Sequence, residues 1–350
     1  MCGIFLCVCN TSCPFTLPPK CKDLLSRRGP DNLAITARQD DMGHKITACS
    51  SVLWLQGDTM TCQPLIDDQE NMLMWNGDIF SMEGVDRDTR ESDTSLLSRH
   101  LSTCQTPEQI LQCLARISGP WAMVYLQKSS NTLWFGRDFF GRQSLLISST
   151  SDSLSLSSCV MSDMTSFTEL PANGVYSSTL LPGGLLGHIT LYPWDCMGDR
   201  AHSDTLHLTM SDLTIKCPVR MDMFNQSTTS LAPRPEQEEP ALFQHLLSYP
   251  DISLMVDQFT AVLRKAVVTR INNQPGLCKK CILARRSSCC GCSVAVMFSG
   301  GLDSCVLAFL AAEELPPGQP LHLLNVAFQQ GGGGYNVPDR LTGIQAFQVS

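Results

Sequence analysis

The 350-residue sequence has no surplus of positive charge: 25 lysines and arginines face 33 aspartates and glutamates, a net charge of −8. That balance excludes nucleic acid and acidic membrane surfaces as principal partners. No apolar run approaches the roughly 18 residues that a membrane span requires. No basic stretch precedes the apolar N-terminal segment, so a secretory signal is not expected either. A cytoplasmic chain with reduced thiols is the expectation, and the sequons at Asn10 and Asn225 then carry no meaning. What the sequence has in quantity is cysteine, 18 residues of it, and apolar residues, 43% against 17% charged. A chain of this length and balance predicts about two domains with real cores.

One cysteine follows the initiator methionine directly, in MCGIFLCVCN. Two readings stand. In a cysteine-rich chain one thiol near the start needs no cause. If Met1 is removed, however, Cys2 carries a thiol and a free α-amino group, nucleophile and base in one residue.

Residues 1 to about 192 read as strand-rich. Gly3–Val8 is an apolar run, KITACSSVLWLQ (45–56) and NMLMWNGDIF (71–80) are strand candidates, and the second is expected to lead into an Asn-Gly turn. TPEQILQCLARI (106–117) predicts a helix, with Thr106 as N-cap, Pro107 in the first turn and Ile110, Leu111, Leu114 and Ile117 on one face. Hairpins are expected over 119–138 and 143–158. Residues 193–250 are rich in Ser, Thr, Asp and Pro and read as a linker or insertion. Residues 251–271 predict an amphipathic helix whose stripe of Met255, Phe259, Val262, Leu263, Ala266 and Val267 packs on the domain C-terminal to it. The rest of 251–292 is a cysteine-dense insert. Its CKKC has zinc-knuckle spacing, and Cys278, Cys281, Cys290 and Cys292 make a four-thiol candidate, with Cys289 also in the patch. Against a metal stand the crowded C-C-x-C and the lack of a nearby histidine; an exposed insertion with incidental thiols is the competing reading.

From 293 to 350 the character changes. Val294–Phe298 reads as a strand, SGGLDS as a turn, the residues from about Asp303 as a helix and 321–328 as a parallel second strand, the start of an α/β unit. QQGGGG and a polar tail complete the chain. At a strand end and helix start, glycine N–H groups and the helix dipole converge on an anion. No lysine follows the glycines, so this is not the G-x-x-x-x-G-K-[ST] loop. SGGLDS instead resembles the pyrophosphate loop of ATP pyrophosphatases, with Asp303 placed to help hold Mg²⁺. A tight strand–helix turn without a ligand is the plain alternative.

Four stretches of the first domain add to Cys2. RRGPDN (27–32) places Arg28 in a rigid Gly-Pro turn, suited to bidentate carboxylate binding. WNGDIF (75–80) puts the Asn76 amide beside the Gly77 N–H, the donor pair an oxyanion hole requires. ESDTSLL (91–97) starts a helix at Asp93, either an N-cap or an ammonium acceptor, and RDFFGRQSLL (137–146) is a charged turn between strands. In this order, on a chain beginning Met-Cys-Gly-Ile, they resemble the class II glutamine amidotransferase domain of asparagine synthetases. The linker and the cysteine-rich insert point to a divergent branch of that family.

The resemblance implies α+β followed by α/β: an N-terminal-nucleophile αββα sandwich over 2–192, then an incomplete doubly wound parallel sheet of ATP pyrophosphatase type over 293–350. It implies glutamine as substrate, Cys2 as nucleophile, Asn76 and Gly77 as oxyanion donors, Arg28 on the substrate carboxylate and Asp93 on its ammonium. It implies ATP and Mg²⁺ as cofactors, held by Ser299, Gly300, Gly301, Asp303 and Ser304, with Val326 lining the adenine pocket. The family's second phosphate motif, S-G-E-G-x-D-E, is absent from the sequence, so a truncated chain unable to make asparagine unaided is expected. No residue pattern fixes an oligomeric state. The alternative from another class is a catalytically idle binding or regulatory protein that keeps the fold.

Overall fold

The computed structural model describes residues 1–10, 17–150, 152–159, 166–197, 208–218, 239–287, 289, 294–328 and 334–349. They form two compact units, Met1–Phe224 and Asn225–Ser350.

Period-2 alternation builds the first unit. Along the strand Gly3–Asn10, Ile4, Leu6 and Val8 point one way, into a core shared with Met72, Met74 and Val124 of a second sheet. Phe5, Cys7 and Cys9 point the other way, onto Cys21 and Leu25 of the helix Pro19–Arg28. Both faces are covered, which is why the strand reads as a nearly continuous apolar run. The strand Met72–Gly77 is its counterpart: Met72 and Met74 enter the inter-sheet core, while Leu73 and Trp75 pack under the helices Asp93–Leu101 and Pro107–Ala115. The result is four layers, helix, sheet, sheet, helices: an αββα sandwich. Gly3–Asn10 lies inside a six-stranded sheet between His44–Val52 and Ser153–Ser157, antiparallel to both. Met72–Gly77 lies inside an eight-stranded sheet between Trp121–Gln127 and the two-residue strand Leu65–Ile66.

The expected hairpins form as Trp121–Gln127 with Thr132–Arg137 and as Leu146–Ser149 with Ser153–Ser157. Pro107–Ala115 is helical, and Thr106 and Gln109 make a reciprocal capping box at its start. Three readings of this unit change. Asn76-Gly77 is not a turn: both residues continue the strand, opposite Ala122 and Trp121. Arg28 does not sit in the Gly-Pro turn but is the last residue of a helix. The N-cap of Asp93–Leu101 is Ser92, whose side chain accepts the Ser95 N–H, so Asp93 is not the cap. The linker also begins later than its composition suggests. Leu208–Met210 adds a parallel strand to the eight-stranded sheet, and Ile215 is fully buried beneath it, an apolar anchor inside a polar stretch. Residues 219–238 lie outside the described residues.

In the second unit the strands Val294–Met297 and Leu321–Leu324 pair in parallel, joined through the helix Leu302–Glu314. The helix Pro250–Asn272 packs on Leu302–Glu314 by its C-terminal half only, through Leu263, Val267 and Ile271 against Leu310 and Ala311. Arg264 adds ion pairs to Glu313 and Glu314. The expected stripe is therefore only partly used: Met255, Phe259 and Val262 are 59%, 69% and 68% exposed. The polar tail is a helix, Pro338–Val349. Gly343 alone of its described residues is buried, so no apolar stripe marks this helix in the sequence. No helix among the described residues is long and apolar enough to cross a membrane.

Candidate active site

Cys2 precedes the central strand of the six-stranded sheet, and its backbone is held from both sides. The Gly3 N–H donates to Ser51 Oγ (3.0 Å) and the Ile4 N–H to Ser158 Oγ (2.9 Å), while Ser51 Oγ donates to Leu25 O. Glycine is required at 3, because a Cβ there would lie 2.5 Å from Ser51 Oγ. Arg28 Nε donates to the Cys2 carbonyl at 3.3 Å. The Cys2 side chain reaches a cleft also lined by Leu53, Gln63, Asn76, Gly77 and Asp93. Burial pushes its thiol pKa up; a backbone hydrogen bond at Leu53 is the largest opposing influence. Burial lowers the pKa of the terminal amine of Met1 at the same cleft.

The cleft's donors come from one strand edge. Asp78 N–H donates to Pro120 O (2.9 Å), so by antiparallel alternation the N–H groups of Asn76 and Asp78 face Trp121–Gln127. Those of Trp75, Gly77 and Ile79 then face the opposite edge. There the neighbouring strand is short, pairing only with Met72 and Leu73, and side chains take over. Trp75 N–H donates to Gln63 Oε1 (2.7 Å) and Ile79 N–H to Asp93 Oδ2 (2.8 Å). The Gly77 N–H lies between these two on the edge that faces the cleft. No side chain fits at 77, since a Cβ would lie 2.5 Å from Pro120 O. Asn76 is 1% exposed, and its Nδ2 donates to Gln143 Oε1 at 3.1 Å. One of its two amide hydrogens is thereby used and the amide plane is fixed.

Asp93 is buried at the same edge. Its Oδ1 accepts from Arg87 Nη2, which also donates to Gln56 Oε1. Burial pushes the Asp93 carboxyl up to about 7, outweighing the Arg87 charge and the Ile79 N–H that pull it down. Arg87 Nε and Nη1 are buried without a hydrogen-bond partner. Arg28 is not among the cleft-lining residues.

Two motifs also carry structural contacts around the cleft. In RRGPDN, Gly29 lets the helix end approach Val52, where a Cβ would lie 2.4 Å from its nitrogen, and Asp31 Oδ2 accepts the Trp54 N–H (2.8 Å). Both contacts set the cleft wall 52–56. In RDFFGRQ, the buried Arg137 donates to the carbonyls of Gly141, Gln143 and Leu170, and Asp138 accepts from Trp121, Phe140 and Arg142 N–H groups. That loop delivers Gln143 to Asn76. Sequence reasoning did not find Gln63, Arg87 or Gln143, since glutamines and a lone arginine in polar loops have no spacing signature.

In the second unit Ser299, Gly300 and Gly301 join the strand to the helix Leu302–Glu314. Gly300 has φ +80, and a Cβ on it would lie 2.4 Å from Thr342 O, so glycine is required twice over. Ser299 and Ser304 Oγ are 3.4 Å apart, Ser304 Oγ donates to Gly301 O, and Asp303 lies exposed in the first helical turn. Bare backbone at a helix start, two hydroxyls and an exposed carboxylate fit a phosphate chain and its cation. Val326, beyond the second strand, is 50% exposed. Cys278 and Cys281 lie together with Cys289, while Cys290 and Cys292 are outside the described residues.

Residues 53–162 match the family model of a glutamine amidotransferase domain and residues 289–338 that of asparagine synthase. Asparagine synthetase domain-containing protein 1 of Bos taurus is 32% identical over 94% of this chain and 56% of its own length. The Homo sapiens protein of that name is 31% identical over 94% and 55%. Over most of its length the chain is thus similar to the asparagine synthetase domain-containing proteins, with a glutamine amidotransferase match first and an asparagine synthase match after it. It spans about half the length of these curated relatives. The Drosophila melanogaster asparagine synthetase domain-containing protein is 28% identical over 98% of the chain. Among solved structures, the glutamine phosphoribosylpyrophosphate amidotransferase of B. subtilis is similar at 17% identity and TM-score 0.38, covering 50% of this chain and 46% of that one.

Proposed function

We propose that the first unit hydrolyses glutamine to glutamate and ammonia, with Cys2 as the nucleophile once Met1 is removed. The observation that carries this is the convergence of Cys2, Asn76, Gly77 and Asp93 on one cleft. The Cys2 thiol passes its proton to its own α-amine. The sulfur attacks the side-chain amide carbon of glutamine. The remaining Asn76 amide hydrogen and the Gly77 N–H take the oxyanion. The C–N bond breaks with the proton delivered to nitrogen, ammonia leaves, and water cleaves the thioester to glutamate and the free thiol.

Asp93, which lines the cleft, takes the α-ammonium of the substrate, and Arg87 holds the Asp93 carboxylate in place for it. Arg28 acts by positioning, through the Cys2 carbonyl. The ammonia serves ATP-dependent amide synthesis of the asparagine type. Ser299, Gly300, Gly301 and Ser304 would hold the ATP phosphates, Asp303 the Mg²⁺, and Val326 would flank the base; ATP supplies adenylation of the acceptor. The setting is the cytoplasm, where Cys2 stays a thiol.

N-terminal sequencing and a glutamine-analogue electrophile test this. Met1 should be absent, Cys2 should be the one rapidly labelled thiol, and Cys2→Ala should lose labelling and glutaminase activity while remaining folded. Retained Met1 overturns the reading. The second reading, an idle pocket with a binding role, is favoured by the Arg87 contact already present on Asp93. It predicts glutamine binding by calorimetry without labelling or turnover.

A further inference from the structure

A second group of thiols lies outside the cleft. The sulfurs of Cys278, Cys281 and Cys289 all lie within 4.8 Å of one another, and none is in a disulfide. Two sulfurs each about 2.3 Å from a tetrahedral zinc ion are roughly 3.8 Å apart, so this spacing is that of ligands around one ion. The local chain is folded to bring them together. Cys278 and Cys281 bracket the start of the short helix Lys279–Leu283, separated by two residues. Arg285 adopts a left-handed φ of +51, and the Arg286 N–H returns to Cys281 O (3.0 Å), reversing the chain toward Cys289. The Cys278 N–H donates to Cys289 Sγ at 3.3 Å, the kind of outer contact that stabilises a metal-bound thiolate. Cys281 is 0% exposed although its neighbours Lys280 and Leu283 are exposed. Lys279, Lys280, Arg285 and Arg286 supply four positive charges to the same segment, which offset the charge of three thiolates on a divalent ion.

We propose that Cys278, Cys281 and Cys289 bind one zinc ion, the fourth position being filled by water or another sulfur donor. Each thiol gives its proton to solvent as its sulfur–zinc bond forms, and no electron is transferred. A disulfide between two of these thiols would need an oxidant that neither the fold nor the proposed reaction provides. The ion does what apolar burial does elsewhere: it closes a segment whose only buried described side chain is Cys281.

The full chain, purified with reductant and without chelator, should carry about one zinc per molecule by elemental analysis. Cobalt(II) titrated into the metal-free chain should give thiolate-to-cobalt charge-transfer and tetrahedral ligand-field bands. Cys278→Ser and Cys289→Ser, with unchanged helix content by circular dichroism, should each weaken zinc binding by about 10-fold or more. Cys196→Ser/Cys217→Ser, at the other metal-like cluster with Asp195, should leave it unchanged. The proposal fails if zinc persists in the Cys278/Cys281/Cys289→Ser variant. It fails equally if zinc is lost only with Cys196 and Cys217, or if the reduced full chain takes up no zinc or cobalt.

Discussion

Asn76 has two amide hydrogens, and Gln143 uses one. In the proposed reaction the other meets the oxyanion, so Gln143 sets the direction of that donor. Asn76→Ala should lower kcat by about 10²–10³, the cost of losing one oxyanion donor. Gln143→Leu should lower kcat in the same direction with KM nearly unchanged, which a general loss of folding would not do. Asp93 gives a pH signature. An aspartate in an unfolded chain titrates near 3.9, whereas burial pushes Asp93 to about 7 in the fold. Between those values the native state keeps a proton that the unfolded state releases. Asp93's contribution is therefore fully present below about pH 4 and is lost as pH rises through about 7. The stability of Asp93→Asn relative to the parent chain should rise over that window in denaturant melts, and a difference independent of pH would overturn the assignment. Cys2, Asn76 and Gly77 were legible because their types carry the chemistry. Arg87, Gln63 and Gln143 were not: their partners are 6, 12 and 67 residues away in sequence.

At the scale of elements, legibility followed burial. Gly3–Asn10 and Met72–Gly77 are covered on both faces, so their apolar runs announced them. Pro107–Ala115 announced itself by its cap and stripe, four buried residues on one side. Thr106→Ala should remove its capping box at a cost of about 1 kcal/mol, lowering the midpoint of thermal unfolding by ~2–4 °C for a unit of this size. Where sequence reasoning erred, a contact distant in sequence decided the outcome. Asn76-Gly77 stays extended because Ala122 and Trp121 pair with it, overriding a dipeptide that otherwise favours a turn. Met255 and Phe259 have the helical spacing but no partner surface among the described residues, so periodicity predicted the helix and not its packing.

At the scale of the whole molecule the two units differ in how much they bury. Among the described residues the first has three continuous apolar clusters and the second one, centred on Val267, Leu310 and Ala311, with Leu302, Phe309 and Phe328 left 79%, 63% and 80% exposed. Amide exchange should therefore be slow through the first unit and fast through most of the second. Equal protection in both would contradict this. The glycine loop inherits that looseness, and its two serine hydroxyls already bond within the loop, so Mg-ATP should bind more weakly than micromolar by calorimetry. Tighter binding would show the loop rigid as it stands. The parallel pair Val294–Met297 and Leu321–Leu324 has a further consequence. Two strands make two rims and no interior, and among the described residues neither rim meets a third strand. Such a rim is a template for any extended segment that meets it. Loss of soluble chain on storage should accordingly be second order in protein concentration, and a short extended peptide added in excess should slow it by occupying the rim first.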